Sequence, residues 1–316
     1  MKPRISVVMP VHNGEDYIEL AVDSVLNQTF SDFELIVVDD GSSDRTVERL
    51  QEYPDSRLRI YQQLPKGLAP ALNQGLRLCQ GEFVARMDAD DICLPKRFER
   101  QVTFLEAHPE VVAVGSEVLL IDPDGWPIAL RGHHQSHPQI EKELLAGLGG
   151  AITHPTLMVR QQALAEIGGY SEARPTNEDL QLYLQLGEVG QLANLPEVLL
   201  HYRVHFKSVN HTQYQQQVVD AVSIVEEAIA RRGLTDQKLP QFGSRKGYGD
   251  PLVLHLLWAW QAFRAGNLAT SRKHVLAAYR LNPRCFLNPR LVGAIVLPPR
   301  LTQFLRQTLR LDQPAT

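Results

Sequence analysis

The sequence predicts an α/β fold: a mostly parallel central sheet flanked by helices, with a helical extension toward the C-terminal end. Three observations carry this expectation. Apolar strand-like runs alternate with helical repeats four times in roughly the first ninety residues, acidic runs directly follow two of those strands, and only helical repeats appear beyond residue 210. Alternation of this kind is the pattern of a parallel sheet covered by helices.

Residues 5–9 (ISVVM) form a short β-branched run stopped by Pro10, which reads as a buried strand. After the turn His12-Asn13-Gly14, residues 15–28 place Tyr17, Ile18, Ala21, Val22, Val25 and Leu26 at helical spacing. A second strand at 34–38 (ELIVV) leads through a polar turn to a helix over 46–52; a third strand at 58–61 leads to a helix over 69–79. The fourth strand, 82–87, ends in Asp88-Ala89-Asp90-Asp91, and Pro95 opens the next helix, where its missing N–H costs nothing. Beyond residue 110 the spacing predicts strands at 111–120 and 156–159, a loop over 121–139, and helices at 161–167, 179–187 and 213–232. Residues 251–280 read as two helices around Gly266-Asn267, similar to one tetratricopeptide-like hairpin. Residues 284–310 hold five arginines and no acid among apolar residues, a basic amphipathic tail suited either to an anionic membrane surface or to packing on the body.

Bulk properties exclude several classes. A chain of 316 residues buries about 75% of its unfolded surface without disulfides or structural metal. Net charge of -4 gives no basic footprint for nucleic acid. Cys79, Cys93 and Cys285 have no C-x-x-C spacing, so a reducing, cytoplasmic setting is expected, and no window reaches the length of a membrane span.

Two carboxylate clusters then stand where parallel sheets place ligands, past the carboxyl ends of strands: Asp39-Asp40-Gly41-Ser42-Ser43-Asp44 and Asp88-Ala89-Asp90-Asp91. Acids beside a nucleoside diphosphate would repel it unless a hard cation such as magnesium or manganese lay between them. Phosphate-cradling alternatives are missing, with neither G-x-x-x-x-G-K-[ST] nor G-x-G-x-x-G after the first strand. Glu178-Asp179 opens a helix after Asn177, a candidate cap. His133, His134 and His137 are read as part of a flexible lid over an acceptor groove instead of a zinc site, since no acid or thiol completes the set.

Over residues 3–210 the chain strongly resembles the inverting, family 2 type glycosyltransferases of GT-A fold, through VVMPVHNGEDYIELAVDSVLNQTFSDFELIVVDDGSSDRT, ALNQGL, ARMDADD, HPTLMVR and NEDLQL in that order. The resemblance implies a GT-A domain over 1–210, with a donor half to about 110 and an acceptor half over 111–210, followed by the helical extension 211–316. It implies that Pro10, Val11 and Asn13 begin the donor pocket, that Asp39 accepts from a uracil or thymine imide N–H, and that Asp40 and Ser42 complete the turn. Asn73 is implied near the donor, Asp88 near ribose and metal, Asp90 as direct metal ligand, and Asp91 as a structural companion. Asp179 corresponds to the catalytic base and Glu178 to its neighbour that arranges base or acceptor loop. Arg203 and His205 fall in a segment that folds over the diphosphate, with His205 a further metal contact. The implied donor is a nucleoside diphosphate sugar, UDP- or dTDP-linked, used with Mn2+ or Mg2+, and the acceptor is a hydroxyl of a glycan, a glycolipid or another molecule. Association with the inner face of the cell membrane would run through 284–316.

The chain departs from processive synthases in lacking Q-x-x-R-W after Glu178-Asp179 and any membrane helix after it, which favours one sugar per encounter. Three alternatives stay open, the least favoured a dinucleotide oxidoreductase, whose fingerprint and ribose acid are missing. A nucleotidyltransferase would use similar acids but needs a basic phosphate loop that VMPVHNGE does not supply, and an inactive carbohydrate-binding or scaffold protein could keep the same fold.

Overall fold

A computed structural model describes residues 2–174, 176–206, 214–242 and 250–284. The chain divides into two compact units: Met1–Val118, Gly132–Tyr202 and Gln215–Phe242 form the first, and Leu119–Arg131, Arg203–Tyr214 and Gly243–Thr316 the second. Each unit is thus built from several segments of the chain. The reason is apolar burial. Helix α8 (Tyr214–Arg232) contributes Ala221, Ile224, Val225 and Ala228 to the same core as Leu180, Tyr183 and Leu184, so it belongs with the first unit.

In the first unit, β1 (Ile5–Val11) lies between β2 (Phe33–Asp39) and β4 (Phe83–Arg86), with β3 (Leu58–Gln62) outside β2. These four strands are mutually parallel. Every residue of β1 and β2 is buried, as continuous apolar runs require when both faces are covered. The crossovers are α1 (Ile18–Leu26), α2 (Thr46–Gln51) and α3 (Leu68–Leu78). Strand β8 (Met158–Arg160) then pairs antiparallel with both β4 and β6 (Val111–Ile121). The sheet continues through β9 (Gln191–Arg203) to β5 (Ile92–Cys93), also an antiparallel pair.

Helix α4 (Arg97–Ala107) starts two residues beyond Pro95, and α5 (His137–Leu145), α6 (Gln161–Ile167) and α7 (Glu178–Val189) complete the first unit's helices ahead of α8. Strand β9 is not anticipated, because Pro196 interrupts its run. In the structure Pro196 is exposed while residues 192–195 and 199–200 are buried.

The second unit corrects the loop expected over 121–139. Strand β7 (Pro127–Arg131) returns along β6 through a turn organised by Asp122, whose Oδ1 accepts from the backbone N–H groups of Asp124 (3.0 Å) and Trp126 (2.8 Å). The expected helical hairpin is present as α9 (Pro251–Ala265) and α10 (Leu268–Leu281), joined at Gly266 and Asn267. The Asp250 carboxylate caps α9 by accepting from Leu252 N at 2.8 Å. Asp122 is fully buried and pairs with Lys273 and with His274 Nε2 at 3.1 Å. Burial works against its charge, but the His274 and Lys273 hydrogen bonds outweigh burial and hold the carboxyl at about 2. Among the described residues Cys79 and Cys93 are free thiols, and no helix is long and apolar enough to cross a membrane. Apart from Arg284, the basic tail lies outside the described residues.

Because the folded Asp122 carboxyl is depressed from 3.8 to about 2, its contribution to stability is full above its ordinary value and is lost as pH falls toward 2. Asp122→Ala, which removes the acceptor of the Asp124 and Trp126 N–H groups and leaves Lys273 paired to Asp124 alone, is expected to destabilise by about 1–3 kcal/mol and to flatten that acid dependence. All three tryptophans (126, 258 and 260) belong to the second unit, so urea unfolding followed by tryptophan fluorescence at pH 7 and pH 3 measures both effects.

Candidate functional site

Parallel pairing brings three strand ends to one edge of the first unit. The register sets Val11 beside Asp39 and Val8 beside Arg86, so residues following β1, β2 and β4 leave the sheet together. The first two turns are bonded to each other. Asp40 N donates to Val11 O (2.8 Å), and His12 Nδ1 donates to Asp40 O (2.9 Å), which leaves His12 Nε2 to accept from Asn13 Nδ2 (3.2 Å). Asn13 N donates to Ser42 Oγ (2.8 Å), and Asn13 Oδ1 accepts from Ser43 N (2.8 Å). Asn13 has φ 54°, a left-handed conformation that asparagine tolerates better than most residues. Pro10, Val11, Asn13, Asp39 and Ser42 are thus gathered in one place.

The two acids of the second turn do different jobs. Asp39 is 3% exposed and accepts only long bonds from Ser42 N, at 3.2 and 3.4 Å. Asp40 is fully engaged: it accepts from Gln63 Nε2 (2.7 Å), Lys66 N (2.9 Å) and Gly67 N (2.7 Å), fixing the chain where α3 begins. Gly41, at φ 76°, faces Pro65 so closely that a Cβ there would lie 2.5 Å from the proline ring. Only glycine satisfies both demands.

Beyond β4, Asp88, Asp90 and Asp91 bring carboxylate oxygens within 4.8 Å of one another. The neighbouring β1 turn touches this loop, a Cβ on Gly14 falling 3.9 Å from Ala89 Cβ. An all-oxygen anionic set fits a hard divalent cation such as Mg2+ or Mn2+. Asp91, expected as a structural companion, is a member of the set. His205 is not, and it lies in the second unit. Beneath the set is Arg86, buried on β4 and ion-paired to Asp88. Burial disfavours its charge, yet the Asp88 pairing overcomes that and raises the guanidinium above its ordinary value.

The second acid pair opens α7. The sequence suggests that Asn177 caps this helix with its side chain; it adopts φ 59° and donates instead to Gln217 O (2.6 Å), while Thr176 Oγ1 donates to Asp220 Oδ2 (2.6 Å). Helix α8 therefore holds the start of α7. Asp179 Oδ1 accepts from Leu180 N (2.7 Å), and its carboxylate lies against Gly149, where a Cβ would approach within 3.3 Å. Burial, then the charge of Asp179, pushes Glu178 up to about 7; burial also raises Asp179. Arg86 opposes both shifts and Asp88 adds to that on Glu178, so the two acidic groups share one electrostatic neighbourhood.

Other expected residues are used differently. Asn73 accepts from Tyr170 N (2.9 Å) and donates to Tyr170 O (2.8 Å) and to Glu172 Oε1 (2.8 Å), so it secures a loop. Arg203, in the second unit, donates from Nη1 to the carbonyls of Asp122 (3.2 Å) and Pro123 (3.0 Å). The three histidines expected in a lid have separate partners: His133 Nε2 meets Thr153 Oγ1 (2.7 Å), His134 Nε2 faces Glu143 (3.4 Å), and His137, the first residue of α5, accepts from Leu192 N (3.2 Å). Sequence reasoning gives no role to Arg86 or Tyr170. The available signal for Arg86 is one charge inside an otherwise apolar strand, FVARM.

A family model described as glycosyl transferase family 2 matches residues 6–168. The chain is similar to the O-antigen biosynthesis glycosyltransferase WbnJ of Escherichia coli, with 36% identity over 210 residues, covering 65% of this chain and 81% of that protein. It is also similar to the putative glycosyltransferase EpsE of Bacillus subtilis (31% identity; 71% and 81% covered) and the amylovoran biosynthesis glycosyltransferase AmsE of Erwinia amylovora (32%; 65% and 78%). Two solved structures share the fold. The mannosyltransferase PcManGT of Pyrobaculum calidifontis, in complex with GDP-Man and Mn2+, has TM-score 0.56 at 20% identity, with 99% of this chain and 86% of that chain covered. S. aureus TarS in complex with UDP-GlcNAc has TM-score 0.56 at 19% identity, with 99% and 88% covered.

If the three aspartates hold a cation, Asp90→Ala should weaken manganese binding at least about tenfold, since even outer partners of metal ligands typically cost that much. Calorimetric titration of MnCl2 into wild type and variant checks this, and equal affinities would remove Asp90 from the set.

Proposed function

The chain belongs to glycosyl transferase family 2, and from that premise we propose that it transfers a single glycosyl group, with inversion, from a nucleoside diphosphate sugar to a hydroxyl acceptor in cell-surface glycan synthesis. The observation that carries this reading is the gathering of the Asp39 turn and the Asp88, Asp90 and Asp91 cluster at one sheet edge, with a buried acid pair in the same electrostatic neighbourhood. The names of WbnJ and AmsE, in O-antigen and amylovoran biosynthesis, support the surface-glycan context.

In the reaction, Asp179 takes the acceptor proton as the acceptor oxygen forms its bond to the anomeric carbon and the bond to the diphosphate breaks on the opposite face. Glu178 stands beside the base. A divalent cation held by Asp88, Asp90 and Asp91 would neutralise charge growing on the departing diphosphate. Asp39, with lone pairs beyond its two long bonds, accepts from the imide N–H of uracil or thymine, which makes UDP- and dTDP-sugars the favoured donors. Pro10, Val11, Asn13 and Ser42 build the wall around that base. The GT-A domain reading, a cytoplasmic location and peripheral attachment to anionic membrane through 284–316 belong to the same proposal.

A screen of UDP-, dTDP- and GDP-sugars with Mn2+, read by diphosphate release and by product mass, tests the donor class. Consumption of a nucleoside triphosphate with a sugar phosphate would favour a nucleotidyltransferase instead. Asp179→Asn is expected to keep donor affinity and lose at least about 100-fold in transfer. Burial raises the Asp179 carboxyl, so the acid limb of the rate profile should lie above the ordinary carboxylate range. A limb near pH 4 would contradict the assignment. Removing 284–316 should abolish sedimentation with anionic vesicles, and unchanged sedimentation would reject the membrane contact.

A further inference from the structure

A run of side chains links the donor half of the first unit to the acid pair. Asn73, on α3, clasps the backbone of Tyr170 at both N and O, at 2.9 and 2.8 Å. The Tyr170 hydroxyl lies 2.8 Å from His154 Nε2, and His154 Nδ1 lies 3.8 Å from Glu178 Oε1. The imidazole is 8% exposed and confined by two rings: Tyr170 with its centroid 5.5 Å away, and Tyr183 edge-on at 6.1 Å and 90°. Tyr183 follows Asp179 by one turn of α7, so the helix that carries the acids also closes on the histidine. At the other end, α3 is anchored by Asp40 through Lys66 N and Gly67 N.

Burial drives the His154 pKa well below its ordinary value, so the ring is neutral and has one N–H to give. Where Nδ1 faces a carboxylate, the proton belongs on Nδ1. Nε2 must then accept, and the Tyr170 hydroxyl is the donor within reach.

We propose that Tyr170 and His154 are positioning residues: the Tyr170 hydroxyl selects the His154 tautomer whose Nδ1–H faces Glu178 across 3.8 Å, a polar contact too long for a hydrogen bond that biases the acid toward its place beside Asp179. Glu178 is thereby kept from turning onto the base, and Asp179 retains its aim at the acceptor hydroxyl. The proposal rests on reading Asp179 as the base.

Tyr170→Phe keeps the ring that confines His154 and removes only the hydroxyl. It is expected to lower kcat about tenfold to a hundredfold, the scale of a small misalignment, with donor KM within about twofold of wild type. His154→Gln should lose a similar factor, and the double variant should be no worse than the more damaged single one, as for groups acting in series. Asn73→Asp keeps the acceptor for Tyr170 N but loses the donor to Tyr170 O and to Glu172 Oε1 and sets a second carboxylate beside Glu172, so it should loosen the Tyr170 loop, lower kcat and leave donor KM unchanged, and Asn73→Asp with Glu172→Gln, which removes that repulsion, should keep the kcat loss. The proposal is overturned by a Tyr170→Phe enzyme with wild-type kcat, by losses that multiply in the double variant, or by an Asn73→Asp effect confined to donor KM. Wild-type protein inactive with every donor would instead sink the functional reading, and the proposal with it. That outcome is distinct from an active wild type matched by its Tyr170→Phe variant.

Discussion

Carboxylates that must act within a few ångströms of one another repel, and in the first unit a buried guanidinium, that of Arg86, opposes that repulsion. Arg86 sits within the sheet under Asp88, and its charge is felt by Asp91, Glu178 and Asp179 as well. A guanidinium is suited to the position because it stays charged when desolvated, where a lysine would surrender its proton more readily. Without it, the acids after β4 and those at the start of α7 would each push the others toward the protonated form. With it, the acids divide in character. Asp88 is paired and ready to share a cation, while Glu178 and Asp179 are held at raised pKa by burial.

The sheet edge supplies the platform and the turns supply rigidity. Left-handed conformations at Asn13 and Asn177 cost on the order of 1–3 kcal/mol each unless their surroundings compensate. At Asn13 the compensation is reciprocal bonding with Ser42 and Ser43; at Asn177 it is the bond to Gln217 on α8. Each strained residue stands just before or within a turn that carries acids, so the strain and its compensation fix the backbone where side-chain aim matters most. Asp40 acts similarly from a layer further back, since its three bonds decide where α3 starts and hence where Asn73 meets Tyr170.

Within the second unit, a buried carboxylate again organises what surrounds it. Asp122 makes the β6–β7 turn through its Oδ1 and binds α10 through Lys273 and His274. Asn267, at the start of α10, donates to Ile128 O on β7 (3.0 Å), so hairpin and helices are tied at two points. A lone helical hairpin has too little surface to bury by itself, and among the described residues these polar ties join it to a β-hairpin.

The amino-acid sequence by itself determined the parallel strands β1 to β4, their intervening helices and the acidic runs at the strand ends, because strand and helix periodicities and turn chemistry are local properties. It was enough to nominate Asp39, Asp88, Asp90 and Asp179. It did not reveal β9, whose Pro196 imitates a break, nor β7, hidden in a segment rich in turn formers, nor the return of α8 to the first unit. Tertiary structure alone decided that Asn73 holds a loop, that Asp91 joins its neighbours, and that Arg86, Tyr170 and His154 surround the acid pair. These assignments depend on partners far apart in the chain: Asn73 and Tyr170 are separated by 97 positions. A hydrogen-bonding side chain carries no mark of which distant partner it will meet. That choice is made only when the sheet and its helices bring the two together.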